Sequence, residues 1–190
     1  MIRAILLAAG QSKRLKGENK LIRKFKNKPI INHVVNSLIK SKINKIIIVV
    51  GHEDKDIKSI IKKNKKIIFI LNKKYKSGIS SSIKVGLKKI SKKNKGFLVV
   101  QSDMPFIKSS DINKIYNSIK KRKFLVHALK FKNKIGNPIG FDISVVKKFK
   151  KIKGDIGAKF MVKRLKKRTN FIKVSSGKIF KDFDLKKDFN

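Results

Sequence analysis

The chain has 190 residues, a formal net charge of +41 and no cysteine. That length suits one domain, residues 1–190, around a single sizeable core. The missing cysteine excludes disulfides, thiolate catalysis and thiolate metal sites.

Ile2–Ala8 reads as a buried strand, short, apolar and followed by Gly10, rather than a secretory signal, which needs a longer apolar core and a small-residue cleavage site. Ala9–Lys20 is a polar loop with two glycines. Pro29 opens a helical pattern to about Lys40, with Ile30, Val34 and Leu38 near helical spacing. Lys45–Val50 is a continuous apolar run, expected of a strand covered on both faces. A helix over Asp54–Lys63 and a strand over Ile67–Leu71 follow. Ser80–Ile90 is helical, and Gly96–Val100 is a fourth strand ending at Gln101-Ser102-Asp103. Ser110–Lys121 reads as a helix and Phe124–Phe131 as a strand.

From Lys132 the rhythm changes. Lys132–Asn137 looks like a turn, Pro138–Phe141 a short strand, Gly157–Arg168 a helix and Phe171–Val174 a strand, followed by a short polar tail. Alternating strands and helices call for an α/β fold, a Rossmann-like three-layer sandwich with a mostly parallel central sheet. No repeat or long linker divides it. No stretch is apolar for long enough to span a bilayer, so no membrane partner is expected and a cytoplasmic location fits.

The charge alone suggests nucleic acid. Its make-up argues otherwise. Only six of the 52 basic residues are arginine, the residue whose bidentate fork suits base recognition. Lysine occurs on nearly every predicted helix and loop beside abundant Ile and Asn. That distribution reads as solvated filling, so nucleic acid is not the expected partner.

In such a sheet ligands bind at the carboxyl ends of the strands. After the first strand, Gly10 lets the backbone approach a ligand, and successive amides can form an anion nest. Arg14 and Lys20 supply cations for phosphate oxygens. The loop is neither a Walker loop nor GxGxxG. After the fourth strand, Asp103 is placed to hold Mg2+ beside phosphates, or to serve as a turn aspartate. Ser80, Ser81 and Ser82 follow Gly78 at a strand-to-helix junction, where hydroxyls and helix amides either hold a base and ribose or cap the helix. Asp182-Phe183-Asp184 offers a second carboxylate. His33, His52 and His127 form no metal-like cluster.

In order, these stretches resemble the molybdenum-cofactor cytidylyltransferases (MocA-like) within the MobA-like NTP transferase family, of the nucleotide-diphospho-sugar transferase fold type. Leu7–Leu21 matches the family opening with Lys16 as one extra residue. Gly51-His52-Glu53, Gly78–Leu87, Ser102-Asp103-Met104-Pro105, Gly136-Asn137-Pro138, Gly154–Lys159 and Asp182–Asp188 match the later motifs. Departures are Ser102 in place of a glycine or cysteine, and Leu185-Lys186 in place of Thr-Pro.

The resemblance implies transfer of CMP from CTP to the phosphate of molybdopterin, with release of pyrophosphate. It implies that Leu7, Ala8, Ala9, Gly10, Ser12, Arg14, Lys20, Ser80 and Ser81 bind nucleotide. Lys20, Arg14 and Asp103 are then catalytic, and Asp103 and Asp184 hold Mg2+, with Mn2+ as an alternative. Asn137 and Asp155 lie nearer the acceptor. A molybdoenzyme of the xanthine dehydrogenase type is the implied client. Ala9, where the guanylyl branch has glycine, narrows the base site and favours CTP. Met104-Pro105-Phe106 instead looks like the guanylyl branch. Guanylyl transfer, another phosphorylated acceptor such as a sugar phosphate, and a basic nucleic-acid-binding protein stay open as alternatives.

Overall fold

A computed structural model of the chain describes residues 1–12, 19–185 and 188–189. Arg14, one of the expected phosphate-binding cations, lies outside the described residues. The elements in chain order are β1 (Ile2–Ala8), β2 (Lys24–Phe25), β3 (Lys28–Pro29), α1 (Ile30–Lys40), β4 (Lys45–Val50), α2 (Asp54–Ser59), β5 (Ile67–Leu71) and α3 (Ile79–Leu87). After these come β6 (Gly96–Gln101), α4 (Ser109–Lys120), β7 (Val126–Phe131), β8 (Lys134–Asp142), α5 (Val146–Phe149), α6 (Lys159–Arg164) and β9 (Thr169–Lys173).

Seven strands form one sheet in the order β5-β4-β1-β6-β8-β7-β9, and β2 pairs with β3 in a separate small hairpin. β1 is parallel to both β4 and β6, whereas β8 is antiparallel to β6 and β7. The chain runs outward from β1 to β4 and β5, then returns to lay β6 on the other side of β1. That reversal opens a crevice at the carboxyl ends of β1 and β6.

Both faces of the sheet are covered, which explains the continuous apolar run of β4. Ala4, Leu6 and Ala8 pack with Ile31, Val34 and Leu38 of α1 and Ile112 and Ile115 of α4. On the other face, Ile5, Ile47 and Val49 pack with Ile83 of α3, Phe149 of α5 and Met161 of α6. The alternation along β1 is the period of two that a strand imposes on its side chains. Each fully buried aliphatic side chain contributes about 1.5–3 kcal/mol.

The structure corrects several expected boundaries. Residues 132–137 are not one turn, and the strand is longer than Pro138–Phe141. β8 begins at Lys134 and includes Gly136 and Asn137, with a register shift opposite Ala128 and Leu129. The expected helix over Gly157–Arg168 is a short α6 followed by a 3-10 turn at Lys166–Arg168. The expected helix over Asp54–Lys63 stops at Ser59. Pro29 precedes α1 rather than opening it. The tail is more than a polar end: Gly177–Phe180 is a 3-10 turn, and Phe183 is only 1% exposed. Among the described residues no helix is long and apolar enough to cross a membrane.

Candidate active site

The carboxyl ends of β1 and β6 border a cleft of ≈ 480 Å³. Leu7, Ala9, Gly10 and Ser12 line it from the β1 side, and Gln101, Ser102 and Asp103 from the β6 side. The Ser102 hydroxyl donates to the Leu7 carbonyl at 2.6 Å, fastening the two strand ends together. Among the described residues, no atom beyond its chain neighbours lies within 4 Å of a Cβ placed on Gly10, which lines the cleft.

Lys20 reaches the centre of this region. Its amide donates to the Ser12 hydroxyl at 3.1 Å, and the neighbouring Leu21 is buried. The Lys20 ammonium lies 2.6 Å from Asp103 Oδ2 and 2.6 Å from Asp184 Oδ1. Side-chain exposures of 18%, 14% and 21% for Lys20, Asp103 and Asp184 put all three in shielded surroundings. Residues 20, 103 and 184 thus converge from three distant parts of the chain.

The electrostatics follow from that geometry. Burial alone would lower the Lys20 pKa, but Asp103 and Asp184 outweigh it, and the ammonium is held above its ordinary range. Burial pushes the Asp103 carboxyl upward and Asp184 adds to the push, while Lys20 opposes it; the outcome is a raised pKa.

Asp103 Oδ1 is buried and has no hydrogen-bond partner among the described residues. An orphaned carboxylate oxygen beside a second carboxylate suits a hard divalent cation such as Mg2+, which binds through one or two carboxylates together with substrate phosphates. No group of three or more acidic or histidine side chains gathers for a metal among the described residues, so the pair needs phosphate or water oxygens to complete a coordination shell.

The far wall of the cleft departs from expectation. Gly78, Ile79 and Ser82 line it, whereas Ser80 and Ser81 do not. The first amides of α3 are already taken: Ile79 N–H donates to Asp155 Oδ1 at 3.3 Å, Ser80 N–H to the Gly154 carbonyl at 3.1 Å and Ser81 N–H to the Gly78 carbonyl at 3.1 Å. The Ser81 hydroxyl donates to the Lys74 and Gly78 carbonyls and accepts from Asn72. The Ser81 hydroxyl thus ties the start of α3 to the preceding loop, while Ser80 is bonded there through its backbone amide. Gly78 has φ +95°, and a Cβ there would strike the backbone of Gly154.

Among the other expected residues, Asp155 lines the cleft and Asp184 completes the Lys20 cluster. Ala8 does not line it; its side chain is buried in the core. Asn137 is buried within β8 and also lies outside the lining. His33 contacts the Phe25 carbonyl at 2.9 Å, and His127 is buried against the Ser118 hydroxyl at 2.7 Å. His52 lies 3.3 Å from Glu53 and faces Tyr75 with ring centroids 6.0 Å apart.

Tyr75 and Gln101 line the cleft without having been singled out from sequence. Their signal was positional, each lying at or just beyond the carboxyl end of a parallel strand. A Cβ on Gly51 would crowd the Tyr75 ring and the Ala9 methyl, so glycine there lets the first loop and the Tyr75 turn approach each other.

Comparison with known proteins gives a family. The family model described as the MobA-like NTP transferase domain matches residues 4–169. A Bifunctional protein GlmU from Buchnera aphidicola subsp. Schizaphis graminum is 31% identical over 183 residues, 95% of this chain and 38% of that protein. The chain therefore spans well under half the length of that relative. Rv0371c from Mycobacterium tuberculosis superposes with a TM-score of 0.85 at 16% identity, covering 99% of this chain and 94% of that one. A structure of Rv0371c in complex with manganese gives a TM-score of 0.76 at 14% identity over 92% and 89% of the two chains. A nucleotidyl transferase from Methanothermobacter thermautotroptrophicus gives 0.84 at 17% identity over 100% and 94%. At those identities the solved structures establish the shared fold.

Proposed function

Because the chain belongs to the MobA-like NTP transferase family, we propose that it transfers CMP from CTP to the phosphate of molybdopterin, releasing pyrophosphate. The observation that carries this reading is Lys20 shared by Asp103 and Asp184 at the mouth of the β1–β6 crevice. The motif Gly154–Lys159, with Asp155 lining the cleft, supports the choice of acceptor, and the Ala9 methyl on the cleft wall supports a pyrimidine nucleotide.

In this mechanism an acceptor phosphate oxygen forms a bond to the α-phosphorus. The bond from that phosphorus to the α–β bridging oxygen breaks, and pyrophosphate leaves with the electron pair. The Gly10–Ser12 backbone and the cation Arg14 hold the triphosphate. The Lys20 ammonium, kept charged by its carboxylate neighbours, turns its remaining hydrogen-bonding capacity toward the α-phosphate. Asp103 and Asp184 hold Mg2+, or Mn2+, which supplies charge neutralisation on the phosphates when bound. Leu7 and Ala9 wall the nucleotide, and Asp155 stands at the acceptor side. Alignment and charge stabilisation provide most of the rate, because an anionic phosphate nucleophile needs little proton transfer.

The test is pyrophosphate release by the purified protein with each of the four NTPs, Mg2+ and molybdopterin. Release with CTP is expected. Release with GTP alone would move the protein to guanylyl transfer, for which Met104-Pro105-Phe106 speaks, and no release with any NTP would remove the reading. The 31% identity to a GlmU protein motivates a second reading, the same transfer to another phosphorylated acceptor. Sugar 1-phosphates in the same assay separate the two. A client molybdoenzyme of the xanthine dehydrogenase type follows only if molybdopterin is the acceptor.

A further inference from the structure

Asp184 lies outside any helix or strand, on a segment that no strand pairing includes among the described residues. Two anchors hold that segment. On its N-terminal side, Phe183 fills an aromatic cluster, with ring centroids 4.8 Å from Phe25, 5.8 Å from Phe106 and 5.4 Å from Phe189. The Phe183 N–H also donates to the Asp103 carbonyl at 3.0 Å, so the backbones bearing the two carboxylates are bonded to each other.

On the C-terminal side the anchor is a side chain. Asp188 Oδ2 accepts from the amides of Asp184 and Leu185, at 3.0 and 2.9 Å. The Asp188 amide donates back to the Leu185 carbonyl at 3.0 Å, and Oδ1 lies 3.5 Å from the Lys181 ammonium. One carboxylate therefore bonds the amides of Asp184 and Leu185 and reaches the Lys181 ammonium. Without it, two adjacent amides lose this acceptor and the backbone at Asp184 and Leu185 is held less firmly.

We propose that Asp188 is a positioning residue for Asp184, holding that carboxylate in register with Asp103. The inference rests on the assignment of Asp103 and Asp184 to a divalent cation. Asp188 does not touch the cation; it acts through the backbone of the residue that does. Groups that orient a ligating side chain typically change metal affinity by about 10–100-fold when removed. A role limited to capping a surface turn predicts a change in thermal stability alone.

The experiment titrates Mn2+ into the full chain and follows free Mn2+ by electron paramagnetic resonance, for wild type, Asp188→Ala and Asp188→Asn, with a thermal melt of each. The expected result is at least about tenfold weaker Mn2+ binding in Asp188→Ala, at a melting temperature close to that of wild type. Asp188→Asn keeps an acceptor oxygen for the two amides and restores most of the affinity. Wild-type affinity in Asp188→Ala overturns the proposal, as does an Asp188→Asn protein that binds as weakly as Asp188→Ala. A wild type that binds no Mn2+ overturns both the metal pair and this inference. A wild type that shows the expected Mn2+ pattern yet releases no pyrophosphate overturns the CMP-transfer reading alone.

Discussion

At the carboxyl edge of β1 and β6 a single lysine is shared by two carboxylates and largely shielded from solvent. Across α5, α6 and the turn at Lys166–Arg168 the cations are treated differently. Lys147, Lys163, Lys166 and Lys167 stand exposed, while Phe149, Met161 and Val162 of the same elements turn into the core. In the first region a charge is held by its surroundings and its protonation is shifted. In the second, cations occupy the outward positions of amphipathic segments. The contrast shows that the count of basic residues says little about function, and that position relative to the crevice says much more.

The sharpest way to break the comparison is in the crevice. Asp103→Ala removes the more enclosed carboxylate and is expected to lower pyrophosphate release by about 10²–10³-fold, the range for loss of one transition-state-stabilising group. Steady-state rates at saturating CTP check this, and a loss below tenfold would place the chemistry elsewhere.

A smaller effect is expected from a group in neither region. Burial pushes the His127 pKa down to about 4, with Phe124 and Asp142 only partly opposing it. Below about pH 6.5 the unfolded chain takes up a proton at this histidine that the folded chain refuses. Stability from this group is therefore present above pH 6.5, falls as the pH drops toward about 4 and then levels off. The loss is at most about 3 kcal/mol. Denaturant melts at pH 7 and pH 4.5 should show it, and His127→Gln should show less of it. An equal loss in both proteins would assign the acid sensitivity to other groups.

The smallest effect belongs to the exposed cations. The double variant Lys166→Ser, Lys167→Ser should keep wild-type turnover and change stability by no more than about 0.5 kcal/mol. A fall in turnover would join this surface to the crevice.

The same contrast governs what could be read from sequence. β1, β4 and β5 have the bounds that their apolar runs announce; for β1 and β4 the reason is that strands covered on both faces need largely hydrophobic stretches. β8 was hidden by Gly136, Asn137 and Pro138, which look like a turn; a register shift against β7 accommodates them. Lys20, Asp103 and Asp184 were legible as members of ordered motifs. The use of Asp155 to cap α3 was not, since it joins residues 76 positions apart through one hydrogen bond. Phe183 was equally opaque, because its ring partners Phe25 and Phe106 lie far away along the chain and nothing local marks their meeting.

Where Gly78 meets Gly154, two stretches of main chain touch with no side chain between them. The breadth of the cleft at that wall is thus a main-chain dimension. Asp155, next to Gly154, lines the cleft and accepts from the Ile79 amide, so its side chain joins this wall to the start of α3. A wall set by backbone contact keeps its distance from the Lys20 cluster whichever side chains its neighbours carry.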